Sequence, residues 1–175
     1  MGARADGEII RAVVDTGPLL HLAEADAGFL FRRLLDAVCP FSVVEELERH
    51  SPGRWRICEQ QGRIRANSLG DEANAQSQAW QMAGLLDRGE ADALALAQEL
   101  GIDCLITDDA AARLLAGSLG LTVRGSLGLV LEAARLGVLN LCEAKTKLAA
   151  LRDSSLWVSE RVYAEAQRLL DEIPE

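Results

Sequence analysis

IIRAVVDTGPLLHL, residues 9–22, decides how the rest of the chain is read. Its first half is a short β-branched run that ends on acidic Asp15 and meets Thr16-Gly17-Pro18, the pattern of a strand breaking into a turn. Pro18 suits the first turn of a helix, and PLLHLAEA (18–25) repeats with helical period. A strand, a turn and a helix follow, with Asp15 at the strand's carboxyl end.

Working outward, AGFLFRRLLDAV (27–38) reads as an amphipathic helix and VCPF (38–41) as a brief strand. SVVEELER (42–49) reads as a helix with Ser42 as N-cap and Glu45 closing a capping box. Residues 50–72 suggest a short helix, a strand at RIRAN (63–67) and loops, and a helix is expected from 71 to 86. Gly89 then acts as punctuation before GEADALALAQEL (89–100), whose acidic first turn complements a helix dipole. DCLIT (103–107) is a buried strand running into Asp108 and Asp109. The helix AAARLLAGSLG (110–120), the strand LTVRG (121–125) and the helix SLGLVLEAARLG (126–137) come next. KTKLAALR (145–152) and SERVYAEAQRLLDEI (159–173) predict two more amphipathic helices.

Short strands alternating with helices predict an α/β fold with a parallel sheet covered on both faces. At 175 residues the chain suits one domain, with residues 1–8 as a flexible N-terminus and 139–175 as C-terminal helices packed on the rest. Apolar residues make up 49% and charged residues 26%, which excludes a disordered chain. No apolar run approaches a membrane span, and the first ten residues lack a secretory signal's apolar core, so a cytoplasmic, membrane-free protein is expected. Cys39, Cys58, Cys104 and Cys142 are too scattered for a zinc site and read as buried free thiols. Trp55, Trp80 and Trp157 read as core or interface anchors rather than base-stacking platforms.

The net charge of −9 argues against a protein that grips nucleic acid through bulk positive potential. One local exception is RHSPGRWRICEQQGRIR (49–65), which gathers Arg49, Arg54, Arg56, Arg63 and Arg65 as either a solvated face or a phosphate contact. In open parallel sheets ligands gather at the carboxyl ends of the strands, and that edge is where the acids fall. Asp15 and the pair Asp108-Asp109 follow strands directly, while Glu90 and Asp92 lie in a helix's first turn. Carboxylates converging without a basic partner repel one another unless a cation neutralises them. Without His or Cys among them, the set suits Mg²⁺ or Mn²⁺, and phosphodiester hydrolysis is the natural chemistry. His21 and His50 are isolated and read as structural.

At these residues the chain resembles the PIN-domain family. VVDTGPLLHL (13–22), VVEEL (43–47), GEADALALA (89–97) and CLITDDAAAR (104–113) resemble its four motifs in order, and residues 119–139 and 154–170 look like a bacterial and archaeal subgroup. The resemblance implies a three-layer α/β/α sandwich with a short central parallel sheet. It also implies an Mg²⁺- or Mn²⁺-dependent endoribonuclease, often the toxin of a toxin–antitoxin pair, so RNA and an antitoxin protein become expected partners. By position, Asp15 is the central metal ligand and Glu46 the acid of the second motif; the third is Glu90 or Asp92, the fourth Asp108 or Asp109. Thr16 and Thr107 are candidates for positioning water or phosphate, and Arg113 for contacting a phosphate. Gly17 departs from the pattern, where many members carry Ser.

Asp15-Thr16-Gly17 also matches the triplet of aspartic proteases, but the Ala/Leu-rich helices are incompatible with that all-β scaffold. A phosphatase with an Asp nucleophile would need a second Asp where Gly17 stands. The remaining alternative is a catalytically silent PIN-like module that binds nucleic acid or protein. The apolar stripes of the C-terminal helices predict a homodimer surface or an antitoxin groove.

Overall fold

The computed structural model describes residues 9–174, so the flexibility expected for residues 1–8 lies outside the described residues. Five strands, β1 (Ile10–Val14), β2 (Leu35–Pro40), β3 (Arg65–Asn67), β4 (Cys104–Ile106) and β5 (Thr122–Arg124), form an all-parallel sheet in the order β3-β2-β1-β4-β5. Between them run α1 (Thr16–Glu24), α2 (Phe29–Leu34), α3 (Phe41–His50), α4 (Arg54–Gly62), α5 (Asp71–Met82), α6 (Arg88–Glu99) and α7 (Ala110–Ser118). After β5 come α8 (Ser126–Arg135), α9 (Leu141–Arg152) and α10 (Glu160–Asp171).

Alternation along each strand makes this a three-layer α/β/α sandwich. Ala12, Val14, Ala37, Cys39, Cys104 and Ile106 point into one core, shared with α1, α2 and α8 to α10. Val13, Val38 and Leu105 point into the other, closed by α5, α6 and α7. Helices α9 and α10 contribute Leu148, Leu151, Tyr163 and Leu170 to the first core, so they are part of the packed body. No helix among the described residues is long and apolar enough to cross a membrane.

Four boundaries differ from the sequence reading. The helix expected over 27–38 stops at Leu34, because Leu35–Pro40 pairs with β1 from Ile10↔Leu35 to Val13↔Val38, and sheet pairing outweighs a marginal helical period. Helix α3 begins at Phe41 with Pro40 as N-cap, so Ser42 lies inside the first turn. Its buried hydroxyl has no hydrogen-bond partner, and the Ser42/Glu45 capping box does not form. Gly89 sits within α6 rather than before it, since the N-cap is Asp87. A capping box that the sequence reading overlooked, Asn140 with Glu143, starts α9 four residues before KTKLAALR.

Candidate metal and nucleic-acid site

The topology places the site. From β1 the chain steps outward to β2 and β3 on one side and, later, to β4 and β5 on the other, so the connections after β1 and β4 leave in opposite directions. A crevice opens at the carboxyl ends of those two strands, and it widens into a cavity of about 950 Å³. Asp15, Thr16, Glu46, Glu90, Asp108, Asp109 and Arg113 all line it.

Asp15 is the deepest of these, with 5% of its surface exposed. Its backbone N–H continues the sheet by donating to Ile106 O at 3.0 Å. One carboxylate oxygen accepts the Thr16 N–H at 2.7 Å and the other the Thr107 hydroxyl at 2.9 Å. The Thr16 hydroxyl donates to Glu46 Oε2 at 2.8 Å, so one residue orients two carboxylates. Helix α6 comes close at Gly89: a Cβ there would stand 2.5 Å from Glu46 Oε2, 3.3 Å from Thr16 Oγ1 and 3.7 Å from Asp15 Oδ1. The missing side chain is what lets oxygens from β1, α1 and α3 converge below the first turn of α6.

That convergence is electrostatically costly. Burial, with the nearby Glu90 and Glu46 charges adding to it, raises the Asp15 carboxyl to about 7 despite its two hydrogen bonds. Glu90 is likewise raised, mainly by desolvation, with Asp109, Asp87 and Glu46 contributing. Among the described residues no Lys, Arg or His forms an ion pair with Asp15. Nor, among them, do three Asp, Glu, His or Cys side chains already stand within reach of one common cation position. Repulsion and local bonding keep them apart, for Glu90 is drawn aside to accept the Asp87 N–H at 2.9 Å. The carboxylate oxygens lie around a buried Asp15 that has no basic partner among the described residues, Gly89 leaves them room, and His50 Nε2 stands 3.9 Å from Glu46 Oε1; this set fits a hard divalent cation.

Asp108 has a different environment. Its Oδ2 lies 2.8 Å from His21 Nδ1 and accepts the Ser126 hydroxyl at 2.6 Å, while Oδ1 accepts the Ser126 N–H at 2.7 Å. Desolvation alone would raise this carboxyl, but the bonds from His21 and Ser126 outweigh it and hold Asp108 below its ordinary value. Asp109 caps α7 with one oxygen, accepting the Ala112 N–H at 2.8 Å, and lies in the same cavity as Glu90. Arg113 is exposed at the cavity and donates to Thr107 O at 3.2 Å.

Asp92 is set apart from these acids. It is 8% exposed, accepts the Ser77 hydroxyl at 2.5 Å, and does not line the cavity. The arginines of residues 49–65 do not line it either; Arg63 and Arg65 border a separate cleft with Trp55. His21, read from sequence as isolated, is tied to the site by Asp108 from 87 residues away. Gly17 permits this, because a Cβ there would press on the imidazole at 3.3 Å. Ser126 was overlooked altogether, and only its place directly after a strand and a glycine hinted at it. Of the four cysteines, Cys39, Cys58 and Cys104 are buried as expected, whereas Cys142 is exposed. Trp80 is buried and Trp55 partly so, but Trp157 stands 86% exposed on the cavity wall, which removes the core half of its core-or-interface reading.

No curated protein and no solved structure matches the chain. A PIN-domain family model does, across residues 11–172, from the second residue of β1 to the end of α10. With a match of that extent, the chain belongs to the PIN-domain family.

Proposed function

We propose that the protein is a metal-dependent endoribonuclease, in keeping with a family whose members are generally nucleases. The observation that carries this reading is Asp15: a buried carboxyl raised to about 7, faced by Glu46 and Glu90 and given no basic partner among the described residues. An unneutralised acid in that position costs stability, and natural proteins keep such groups where function needs them.

Asp15, Glu46 and Glu90 would hold Mg²⁺ or Mn²⁺, with Asp109 facing them from the start of α7. Glu90 is preferred to Asp92, which is bound to Ser77 outside the cavity, and Asp109 to Asp108, whose oxygens are taken by His21 and Ser126. When bound, such an ion polarises a phosphate oxygen and lowers the pKa of water. Thr16 and Thr107 fix the orientation of Glu46 and Asp15, and Arg113 offers a guanidinium to a neighbouring phosphate. Water adds at phosphorus and the bond to the 3′ oxygen breaks, leaving a 5′-phosphate and a 3′-hydroxyl.

Cleavage of mixed RNA by the purified chain with Mg²⁺ or Mn²⁺, compared with Asp15→Asn and with EDTA, tests this. Cleavage that survives both the substitution and chelation sinks it. As the toxin of a toxin–antitoxin pair, the chain would also arrest growth when expressed alone, and unimpaired growth at equal expression refutes that part.

A further inference from the structure

The cavity has two dissimilar walls. One carries Asp15, Glu46, Glu90 and Asp109, and the other is mostly apolar, built from Leu127 and Leu131 of α8, Leu156 and Val158 of the α9–α10 connection, and Val162 of α10, with Glu165 of α10 on it paired to Arg168. Trp157 stands on this second wall with 86% of its surface exposed, more than any other large apolar residue described except Met82. It is not part of the packed core, although Leu156 and Val158 on either side of it are. The connection that presents it is tied down: the Ser155 N–H and hydroxyl donate to Glu24 at 2.9 and 2.7 Å, Leu156 is buried, and Ser159 caps α10. The backbone on either side of Trp157 is thus anchored, and its indole is left exposed to the cavity that the acids also line.

We propose that Trp157 is a stacking platform for an unpaired nucleobase of the RNA. This rests on the nuclease reading. A net charge of −9 repels a polyphosphate, so affinity has to come from something besides bulk electrostatics. Base stacking on an aromatic face supplies it with little dependence on sequence. Arg113 lines the same cavity and provides local positive charge for a phosphate flanking that base, while Arg124, also on the lining, is paired with Glu132 at 3.5 Å. Bases inside an A-form duplex are already stacked and unavailable to the indole, so the platform requires an unpaired base.

The test uses Asp15→Asn, expected to cleave about a thousandfold or more slowly, and a fluorescently labelled ten-nucleotide single-stranded RNA in Mg²⁺. Trp157→Ala in that background should weaken binding about ten- to one-hundred-fold, whereas Trp157→Phe should stay within about threefold, because the smaller ring still stacks. RNA binding should quench the exposed indole's emission, and a duplex of the same sequence should bind weakly with or without Trp157. In the active chain, Trp157→Ala should raise KM and leave kcat unchanged. Unaltered thermal unfolding of the variant shows that its fold is intact. Equal affinity for the parent and Trp157→Ala overturns the platform, even if the wild-type chain cleaves RNA and the nuclease reading stands. Trp157-dependent binding of single strands without any cleavage supports the platform and removes the nuclease reading. A blue shift of Trp157 emission on concentration alone, together with a dimer by light scattering, also overturns the platform and assigns the wall to a second protein chain.

Discussion

Asp15 and Asp108 follow neighbouring parallel strands, open on the same cavity and are both hydrogen-bonded, yet their carboxyls move in opposite directions. Asp15 receives only two hydrogen bonds, one of them from its own neighbour, and looks toward Glu46 and Glu90. Asp108 receives His21 and both donors of Ser126. The fold has completed one aspartate internally and left the other incomplete. The difference separates a residue that stabilises the crevice from one that, in the proposed reading, would take a cation.

Replacing the incomplete member should have the largest effect. Asp15→Asn is expected to lower the rate of RNA cleavage about a thousandfold or more, the loss of several kcal/mol of transition-state stabilisation. The same variant should be more stable than the parent in the absence of metal. Between about pH 4 and 7 the unfolded chain has released the Asp15 proton and the native chain retains it, so native stability falls as pH rises through that window. At pH 8 the accumulated cost is on the order of 4 kcal/mol, which Asn avoids. Thermal melts at pH 5 and pH 8 would show it: the parent's melting temperature should drop between the two and Asp15→Asn's change far less. Saturating Mn²⁺ should restore the parent at pH 8, by about 3 kcal/mol at a hundred times Kd, and leave the variant where it was.

Asp108→Asn should move stability the other way. Its native carboxyl is held low, so its contribution is present above the unfolded value near 4 and lost as pH falls through the native value. Replacing it weakens charge-assisted bonds to His21 and Ser126 and should cost about 2 kcal/mol at neutral pH, read as a lower midpoint in urea. If Asp15→Asn and Asp108→Asn shift stability with the same sign at pH 8, the contrast between the two aspartates does not hold.

A similar contrast within α6 separates Glu90 from Asp92. Glu90→Gln should weaken Mn²⁺ binding about tenfold or more, since it removes a charged oxygen donor. Asp92→Asn should leave Mn²⁺ affinity within about threefold and instead cost about 1 kcal/mol through the Ser77 bond. Titration calorimetry with Mn²⁺ on the two variants decides between them, and a larger loss for Asp92→Asn would reverse the assignment.

What the sequence disclosed followed from periodicity. Strand alternation, with acids placed directly after β1 and β4, was enough for the α/β layers and the crevice edge. Local competition hides the rest: Ser42 fits the local N-cap pattern, but β2 runs to Pro40 and α3 starts directly after it, so Pro40, a weak capping residue, holds the position. His21 meets Asp108 across 87 residues, a pairing that no local pattern contains. Glu90 and Asp92 could have been parted, because two residues along a helix are about 200° around it and cannot share a face. Which of the two faced the acids depended on how α6 packs against β1, and that is a property of the folded chain.

Gly89 offers the smallest effect and the finest discrimination, because it changes the space between the acids without touching a charge. An added Cβ would meet Glu46 Oε2 at 2.5 Å, and that oxygen is the far end of a flexible side chain that can swing away. Exchanging a helical Gly for Ala contributes about 0.5–1 kcal/mol of stability, which offsets the displacement of Glu46, so Gly89→Ala should melt close to the parent. Glu46 would nonetheless leave its bond to Thr16, and the Mn²⁺ affinity should fall about tenfold, the size seen when the groups that orient a ligand are lost. A variant that binds Mn²⁺ as tightly as the parent would show that Glu46 is dispensable to the cation and that Asp15 is completed from the side of Glu90 and Asp109. A fall in affinity at unchanged stability would show that the first turn of α6 lacks a side chain so that two acids can share one ion.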